Sequence, residues 1–402
     1  MLRMLSFMSR QAKIYVGTEA VYGVAMGMYG FVLNFFFLSL GLEAAQIGLI
    51  TSTGIVVMGA CALPLGFLAR RTGRKNMYAG GVLMIGANIV LYVLCPQALL
   101  FVPVVCLAIG MTMVEVSEVQ VMYQSCESDR ERVTVFSVSF ATFSLCSAVG
   151  TFLAGRLPRL LGYRGTMLAA GCITLAVGLV RWRMLANDRA CEGEGAPRKK
   201  ARPPLRTVLD RRFFSFLAVI AFHGALTNTI SPFANLILKY RCGWQDSGVS
   251  TVLTLASVCS FLFALYTPRL QRRRLYHTGM YVAAYVALIA VYGVMALCGS
   301  AVVFVMLFLV RSGLEVMLKN MIDSVTYLTL GEQQKDIYAG SRSLTKGAVG
   351  ALTAFLVGNL LERRAIGLVF LTAAGLMVCA AVLFIIFITP LFGNKKNREK
   401  IL

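Results

Sequence analysis

Long apolar stretches constrain the fold of this chain more than any other feature of its sequence. Twelve stretches of about 20 residues or more can be marked along its 402 residues, of which 58% are hydrophobic and 14% charged. A helix of about 20 apolar residues is long enough to cross the hydrocarbon layer of a membrane. This composition excludes an ordinary soluble chain and predicts an all-α polytopic membrane protein. The predicted spans are 14–41, 44–69, 76–95, 98–124, 132–158, 163–186, 212–239, 246–267, 278–297, 300–327, 337–361 and 365–391.

The positive charge of the chain lies mainly in the segments between alternate spans. A net charge of +21 would suggest nucleic-acid binding if the protein were soluble. Here 28 of the 39 lysines and arginines fall on one side of the membrane if both termini are cytoplasmic, and 7 fall on the other. The larger group includes ten between Arg181 and Arg212. This distribution follows the positive-inside rule, so we expect cytoplasmic N- and C-termini and no nucleic-acid partner.

The second half of the chain repeats residues of the first at a nearly constant offset. Each half holds six predicted spans, so the two copies have the same orientation and form parallel repeats. The matched positions are Tyr22-Gly23 with His223-Gly224 and Asn34 with Asn235 at 201, Glu115-Val116 with Glu315-Val316 at 200, Met77-Tyr78 with Met280-Tyr281 at 203, and Ala148, Phe152, Leu153 and Gly155 with Ala351, Phe355, Leu356 and Gly358 at 203.

A basic segment rich in glycine and proline separates the two halves. Its composition predicts a cytoplasmic linker at residues 187–210, although an amphipathic surface segment is an alternative. We therefore expect an N-terminal six-helix bundle at 1–186 and a C-terminal six-helix bundle at 211–402.

Twelve spans in two parallel halves around a basic central loop resemble the major facilitator superfamily (MFS) of transporters, in its bacterial form, over essentially the whole chain. The segment after span 2 is similar to the family's signature G-x3-D-R-x-G-R-[RK], except that Arg70 stands where the signature has aspartate. In the family that aspartate helps to latch the cytoplasmic gate, so its replacement calls the usual latch into question. Arginines that only set the topology are the alternative. The gate segment consists of Gly66, Arg70, Arg71, Gly73, Arg74 and Lys75.

Two further family signatures are missing from the sequence. Span 4 lacks the arginine that is often found there in proton-coupled members, and span 5 lacks the Gly-Pro pair that is typical of drug/proton antiporters. The second absence disfavours a drug antiporter.

Acidic residues within the spans are the candidates for proton coupling. Glu115 and Glu118 lie three residues apart in span 4 and so share one helix face, while Glu19 lies in span 1. A charge at the bilayer centre costs about 2.5–3.5 kcal/mol on insertion scales, so it normally faces protein or water. Burial and a neighbouring carboxylate both disfavour the charged form of a carboxyl group. We expect Glu115 and Glu118 to carry the proton, with Glu19 as the second candidate unless it lies at the cytoplasmic mouth.

Charged residues of spans 10 and 11 predict a substrate cavity. Arg311, Glu315, Lys319 and Asp323 follow one another at four-residue intervals, which allows alternating ion pairs along one helix. Ion pairs that only lock helices together are the alternative. The repeat would place Glu115 and Glu315 on opposite walls of one central cavity. The residues expected in the cavity are Glu315, Arg311, Lys319, Lys346, Arg342, His223, Tyr22, Asn34 and Asn235.

These patterns predict a secondary active transporter that works by alternating access. A cavity that is acidic on one wall and basic on the other suits a zwitterionic or anionic organic solute, with protons as the driving ion. A proton-driven exporter of drugs or metabolites, an uncoupled facilitator and a lipid flippase are the alternatives. An enzyme is disfavoured, because the chain has no HExxH, GxSxG or nucleotide-binding loop. We expect no cofactor, no metal site, a location in the cell (inner) membrane and, from the resemblance, a monomer.

Overall fold

The protein is built of α-helices joined by short connections. The computed structural model describes residues 8–126, 128–185, 211–274, 278–330 and 332–392, and these ranges contain no β-strand. Twelve of the described helices are long and apolar enough to cross a membrane. The prediction of twelve spans in an all-α fold is therefore confirmed, whereas the linker predicted at 187–210 lies outside the described residues.

The helices are numbered α1 to α12 in chain order. Those of the first half are α1 Arg10–Ser39, α2 Ala44–Thr72, α3 Arg74–Leu94, α4 Phe101–Gln124, α5 Asp129–Ala154 and α6 Pro158–Met184. Those of the second half are α7 Arg211–Ile230 continued by Ala234–Cys242, α8 Asp246–Arg274, α9 Thr278–Leu297, α10 Ala301–Thr329, α11 Glu332–Glu362 and α12 Ile366–Leu383 continued to Phe392.

Two of these helices are irregular at sites that their residues explain. Helix α7 is interrupted by a single 3₁₀ turn at Ser231–Phe233, where Pro232 has no backbone N–H to continue the helical hydrogen bonds. Helix α6 is kinked at Gly162, whose φ of 66° lies in the left-handed region that residues with a Cβ rarely adopt.

The chain folds into two compact units. The first contains most of the first six helices together with the start of α8, Trp244–Thr254, and the second contains most of the last six together with the start of α2, Ala44–Ser52. In the first unit, α1 packs against α5 and α6, and α3 packs against α4 and α6. In the second unit, α7 packs against α11 and α12, and α9 packs against α10 and α12. The same helix pairs thus meet in both halves, as a parallel repeat requires.

The contact between α1 and α5 shows how closely the repeat is kept. A Cβ at Gly150 of α5 would overlap the backbone of Val24 in α1, so only glycine allows the two helices to approach this closely. The corresponding pair, 203 and 201 residues later, is Thr353 of α11 and Ala225 of α7. There the Thr353 hydroxyl donates a hydrogen bond to the Ala225 carbonyl over 3.1 Å. The second copy therefore replaces a bare backbone contact by a hydrogen bond.

Candidate functional site

A buried ion pair joins α1 and α6 in the first unit. Nη2 of Arg181 lies 2.5 Å from Oε2 of Glu19, and the two side chains are 0% and 4% exposed. Arg181 Nε also donates to the Thr18 hydroxyl over 3.2 Å. Its Nη1 is buried and has no hydrogen-bond partner among the described residues. Because a buried charge is tolerated only when it is paired, Arg181 and Glu19 depend on each other.

Three tyrosine rings surround the Arg181 guanidinium. Its Cζ lies 4.9 Å from the ring centroid of Tyr22, 5.0 Å from that of Tyr78 and 5.8 Å from that of Tyr15. The face of an aromatic ring attracts a cation, most strongly where water is excluded. The Tyr78 hydroxyl also donates to Glu19 over 3.4 Å and lies 3.5 Å from the Tyr15 hydroxyl. Side chains from α1 and α3 thus take the place of water around this charge.

A second carboxyl group, Glu118 of α4, extends the cluster. Glu118 is partly exposed, accepts a hydrogen bond from Tyr15 and lies within electrostatic range of Glu19 and Arg181. Glu115, one turn earlier in the same helix, is exposed and is near enough to interact with Glu118. The structure therefore brings Glu19 and Glu118 together around Arg181 and leaves Glu115 at the edge.

The charged residues of α10 do not form the alternating series that their spacing predicts. Arg311 and Glu315 pair at 3.6 Å, and the hydroxyl of Tyr292 in α9 donates to Glu315. Asp323, however, pairs with Arg342 of α11 at 2.7 Å, while Lys319 is exposed. Within the described residues, only the Arg311–Glu315 pair of that series forms. Arg342 of α11, whose side chain is 16% exposed, thus pairs with Asp323 in place of Lys319, the lysine of the same helix as Asp323.

Several polar atoms of this region are buried without a hydrogen bond. They include Nε and Nη1 of Arg311, whose guanidinium carbon lies 4.5 Å from the ring centroid of Phe308, and Oδ1 of Asp323. No partner for these atoms exists in the part of the chain that the structure describes. Two donors and one acceptor therefore retain hydrogen-bonding capacity in the second unit.

His223 of α7 lies beside the charges of α10 and α11. Its Nε2 is 3.0 Å from the hydroxyl oxygen of Tyr285 in α9. Lys346 packs directly on the neighbouring Gly224, since a Cβ there would come within 2.7 Å of the lysine Cγ. The charged groups within electrostatic range of His223 are Lys346, Asp323, Lys319 and Arg342. The structure thus brings four of the predicted cavity residues, His223, Lys319, Arg342 and Lys346, together with Asp323 in one part of the second unit.

The other predicted cavity residues are buried within their own units. Tyr22 lies against Arg181, and Asn34 of α1 is 3% exposed. Asn235 stands just after the interruption of α7, where its Oδ1 accepts a hydrogen bond from the Leu236 N–H over 2.9 Å. The interruption of α7 deprives the Leu236 N–H of its partner within the helix, and Asn235 accepts the hydrogen bond instead. This contact gives Asn235 a structural role.

The segment predicted as a cytoplasmic gate loop is almost entirely helical. Gly66, Arg70 and Arg71 belong to the end of α2, and Arg74 and Lys75 begin α3. Gly73 alone separates the two helices, and its φ of 87° explains why glycine stands there. No atom lies within 4 Å of the place that a Cβ would take at Gly66, so packing does not require that glycine.

The residue that sequence analysis missed is Arg181, which was counted among the cytoplasmic loop cations. The predicted span 163–186 already contains Arg181, and the structure corrects only its assignment to water, because the side chain in the last turn of α6 is fully buried. The local signal is that Arg181 lies within the predicted span and directly follows nine uncharged residues, Cys172 to Val180. A second signal is the repeat, since an offset of 203 matches Arg181 with the apolar Phe384.

Comparison with known proteins agrees with this architecture. A family model described as Major Facilitator Superfamily matches residues 17–339. No curated protein sequence matches the chain significantly. Among solved structures, a bacterial homolog to the human lysosomal transporter Spinster, in an inward-facing and unoccupied conformation, has a TM-score of 0.76 at 13% identity, over 95% of this chain and 96% of that one.

Two other solved transporters share the fold over nearly their whole length. An auto-inhibited POT family peptide transporter has a TM-score of 0.74 at 14% identity, over 94% of this chain and 96% of that one. The nucleoside transporter NupG has a TM-score of 0.67 at 16% identity, over 94% and 99%. Such low sequence identities show only a shared fold. The match of the family model to residues 17–339 shows that the chain belongs to the family. The chain is a multi-pass membrane transporter of small molecules, not an enzyme, and belongs to the Major Facilitator Superfamily.

Proposed function

We propose that this protein is a proton-driven secondary active transporter of a small anionic or zwitterionic organic solute. It works as a monomer by alternating access in the cell (inner) membrane, with both termini in the cytoplasm. The observation that carries the proposal is the charge balance of the first unit, where one guanidinium faces two carboxyl groups.

The charge balance assigns different roles to the two carboxyl groups. Arg181 is fully buried and holds Glu19 at 2.5 Å, so one positive charge neutralises one carboxylate. A second negative charge in the same low-dielectric surroundings costs free energy unless the group binds a proton. Glu118 is the more exposed of the two, so water can deliver that proton. Glu118 is therefore the proton carrier, and Glu19 remains the partner of Arg181.

The second unit supports a solute that carries negative charge. Apart from Glu362, the last residue of the α11 span, the spans of α10 and α11 hold four cations and two acids. The cations are Arg311, Lys319, Arg342 and Lys346, and the acids are Glu315 and Asp323. Free guanidinium donors suit a carboxylate, and the free Oδ1 of Asp323 suits an ammonium group. An exporter of cationic drugs fits less well, because the cations outnumber the acids.

The experiment that tests the proposal uses protein in liposomes that contain a pH-sensitive dye. Lactate, succinate, glutamate and glycylglycine are added outside as probes, and the internal pH is followed. We expect at least one probe to drive proton entry into liposomes with the wild-type protein, and Glu118→Gln to abolish this entry. Arg183→Ala, a change at an exposed position of α6, is the matched control and should behave like wild type. Probe uptake without proton movement, or proton movement that survives in Glu118→Gln, would contradict the proposal.

A further inference from the structure

We infer that the Glu19–Arg181 ion pair serves function and not packing, and that Arg181 is the positioning residue that controls proton binding by Glu118. The inference rests on the proposed function, which makes Glu118 the proton carrier. Its evidence lies inside the chain, because the second repeat contains the same site without the charges.

The second copy of the site is found by the offsets that relate the two halves. An offset of 201 matches Glu19 with Ile220 in α7, and an offset of 203 matches Arg181 with Phe384 in α12. Ile220 and Phe384 are buried, with 1% and 0% of their surface exposed. Phe384 stacks on Tyr281, with the two ring centroids 5.0 Å apart. Tyr281 is the match of Tyr78, and the Cζ of Arg181 lies at the same distance, 5.0 Å, from the ring centroid of Tyr78. The arginine and the phenylalanine therefore occupy equivalent places on equivalent tyrosines.

Two residues around the pair carry a hydroxyl group in the first copy and are apolar in the second. Thr18, which accepts a hydrogen bond from Arg181, corresponds to the buried Val219, and Tyr15 corresponds to the buried Phe216. At these two positions the first copy is polar and the second is apolar, whereas Tyr22 is matched by the polar His223 and Tyr78 by Tyr281. Replacing a buried ion pair by apolar residues of similar volume is often neutral or stabilising. The second copy shows that this helix packing is compatible with such a replacement, so the packing does not require the charges.

The geometry of Arg181 indicates what the charges do. Nη2 is committed to Glu19, while Nη1 is buried with no hydrogen-bond partner among the described residues. The groups that face the guanidinium are Glu19, Tyr15 and Tyr22 from α1, Tyr78 from α3 and, within electrostatic range, Glu118 from α4 with Glu115 beyond it.

A change in the protonation of Glu118 alters the charge that Arg181 faces. When Glu118 releases its proton to water, its new carboxylate is attracted to the guanidinium, which still has a free donor. When Glu118 takes up a proton, that attraction ends and Glu19 holds the guanidinium alone. Tyr15 hydrogen-bonds Glu118 and lies beside Tyr78, which itself bonds Glu19, so the two carboxyl groups are linked through the tyrosines.

The experiment copies the second repeat into the first and needs no solute. The double variant Glu19→Ile with Arg181→Phe is compared with its two single variants by thermal unfolding in detergent. The titration of Glu118 is followed by the infrared absorbance of protonated carboxyl groups, assigned with Glu118→Gln. We expect both single variants to lose thermal stability and the double variant to regain most of it. In the double variant the titration midpoint of Glu118 should move by about one pH unit or more.

A conservative variant and a set of outcomes separate the roles. Arg181→Lys keeps the positive charge and should keep the Glu118 midpoint close to that of wild type, even though it loses the fork of the guanidinium. A stable double variant with an unmoved midpoint would overturn the inference and make the ion pair structural. If the double variant does not fold, Glu19→Gln combined with Arg181→Gln, which removes both charges but keeps polar side chains, decides by the same titration. A moved midpoint supports the inference, and an unmoved one overturns it. A moved midpoint together with a failed solute assay would reject the proposed function and leave the role of Arg181 standing.

Discussion

Arg181 of α6 and Glu19 of α1 are joined by an ion pair of 2.5 Å in which neither side chain has appreciable exposed surface. Two charges that leave water together recover the cost of desolvation only through close pairing and further hydrogen bonds. Here the hydroxyl groups of Thr18 and Tyr78 supply those bonds, one to each partner. The pair is therefore stable as a whole and vulnerable to the loss of either member.

The first prediction concerns this vulnerability. Arg181→Leu should lower the free energy of unfolding by about 3–5 kcal/mol, because it leaves the carboxylate of Glu19 buried without a cation. Thr18→Val removes one hydrogen-bond acceptor from the same guanidinium and should cost about 1 kcal/mol. Denaturant unfolding of the two variants in detergent measures the difference. Equal losses in both would show that Glu19 does not depend on Arg181.

The second prediction uses two glycines of α1 that lie one turn apart. A Cβ at Gly27 would overlap the backbone carbonyl of Ser147 in α5, whereas no atom lies within 4 Å of the corresponding place at Gly30. Gly27→Ala must push α1 and α5 apart, and overpacking of this kind costs about 1–3 kcal/mol. Gly30→Ala should be neutral or stabilise by up to about 1 kcal/mol, since alanine favours the helix.

Thermal unfolding of the two alanine variants checks this contrast. The melting temperature should fall for Gly27→Ala and stay level or rise for Gly30→Ala. If both variants melted at the same temperature, the close approach of α1 and α5 would be refuted.

The third prediction is a pH dependence at Cys126, which follows the span ending at Gln124. Burial, with the negative charge of Glu131 as a second cause, raises the pKa of the Cys126 thiol to about 11. Only the thiolate reacts with maleimide. The labelling rate at Cys126 should therefore rise about tenfold for each unit between pH 8 and pH 10, whereas a thiol with a pKa of about 8.5 levels off in that range.

Mass spectrometry of the Cys126 peptide after timed labelling measures these rates. Glu131→Gln removes one cause of the raised pKa, so the pKa should fall and labelling at pH 8 should become faster. A rate that levels off above pH 9 in the unaltered protein would show that the pKa of Cys126 is close to the ordinary value.

The sequence predicts the twelve spans and the repeat because both are expressed in residue type and chain distance alone. Tyr22 and His223, for example, are matched by counting, and the structure places both in the first helix of their half. The spacing of Glu115 and Glu118 likewise puts them on one face of α4. It does not show which of them meets α1, since this depends on Tyr15, a residue about one hundred positions away.

Arg181 and Asp323 show where sequence reasoning stops. A cation near the end of a span is normally assigned to water, and only the packing of α6 on α1 and α3 makes Arg181 a buried residue. The four-residue spacing predicts that Asp323 pairs with Lys319 of the same helix, but Asp323 pairs with Arg342 of α11 instead. In both cases the deciding contact joins different helices, and no local pattern records such contacts.

The last prediction tests the solute-binding role of Lys319 and rests on the proposed function. Lys319 is exposed and does not share the carboxylate of Asp323, which pairs with Arg342, so its removal breaks no ion pair of the described residues. Lys319→Ala should therefore leave the melting temperature within about 2 °C of wild type, as surface changes usually do. A charge-assisted hydrogen bond to a solute contributes about 1.5–3 kcal/mol. The KM for the probe that drives proton entry in liposomes should accordingly rise about tenfold or more.

Two further variants make this result specific. Lys319→Arg keeps the charge and should keep most of the affinity, and Arg183→Ala removes an exposed cation from α6 and should change neither KM nor stability. If Lys319→Ala transports the probe with an unaltered KM, Lys319 does not contact the solute. The excess of cations in α10 and α11 would then contribute only to the electrostatic potential of the second unit, without contacting the solute. The proposal that the solute is negatively charged would lose this support.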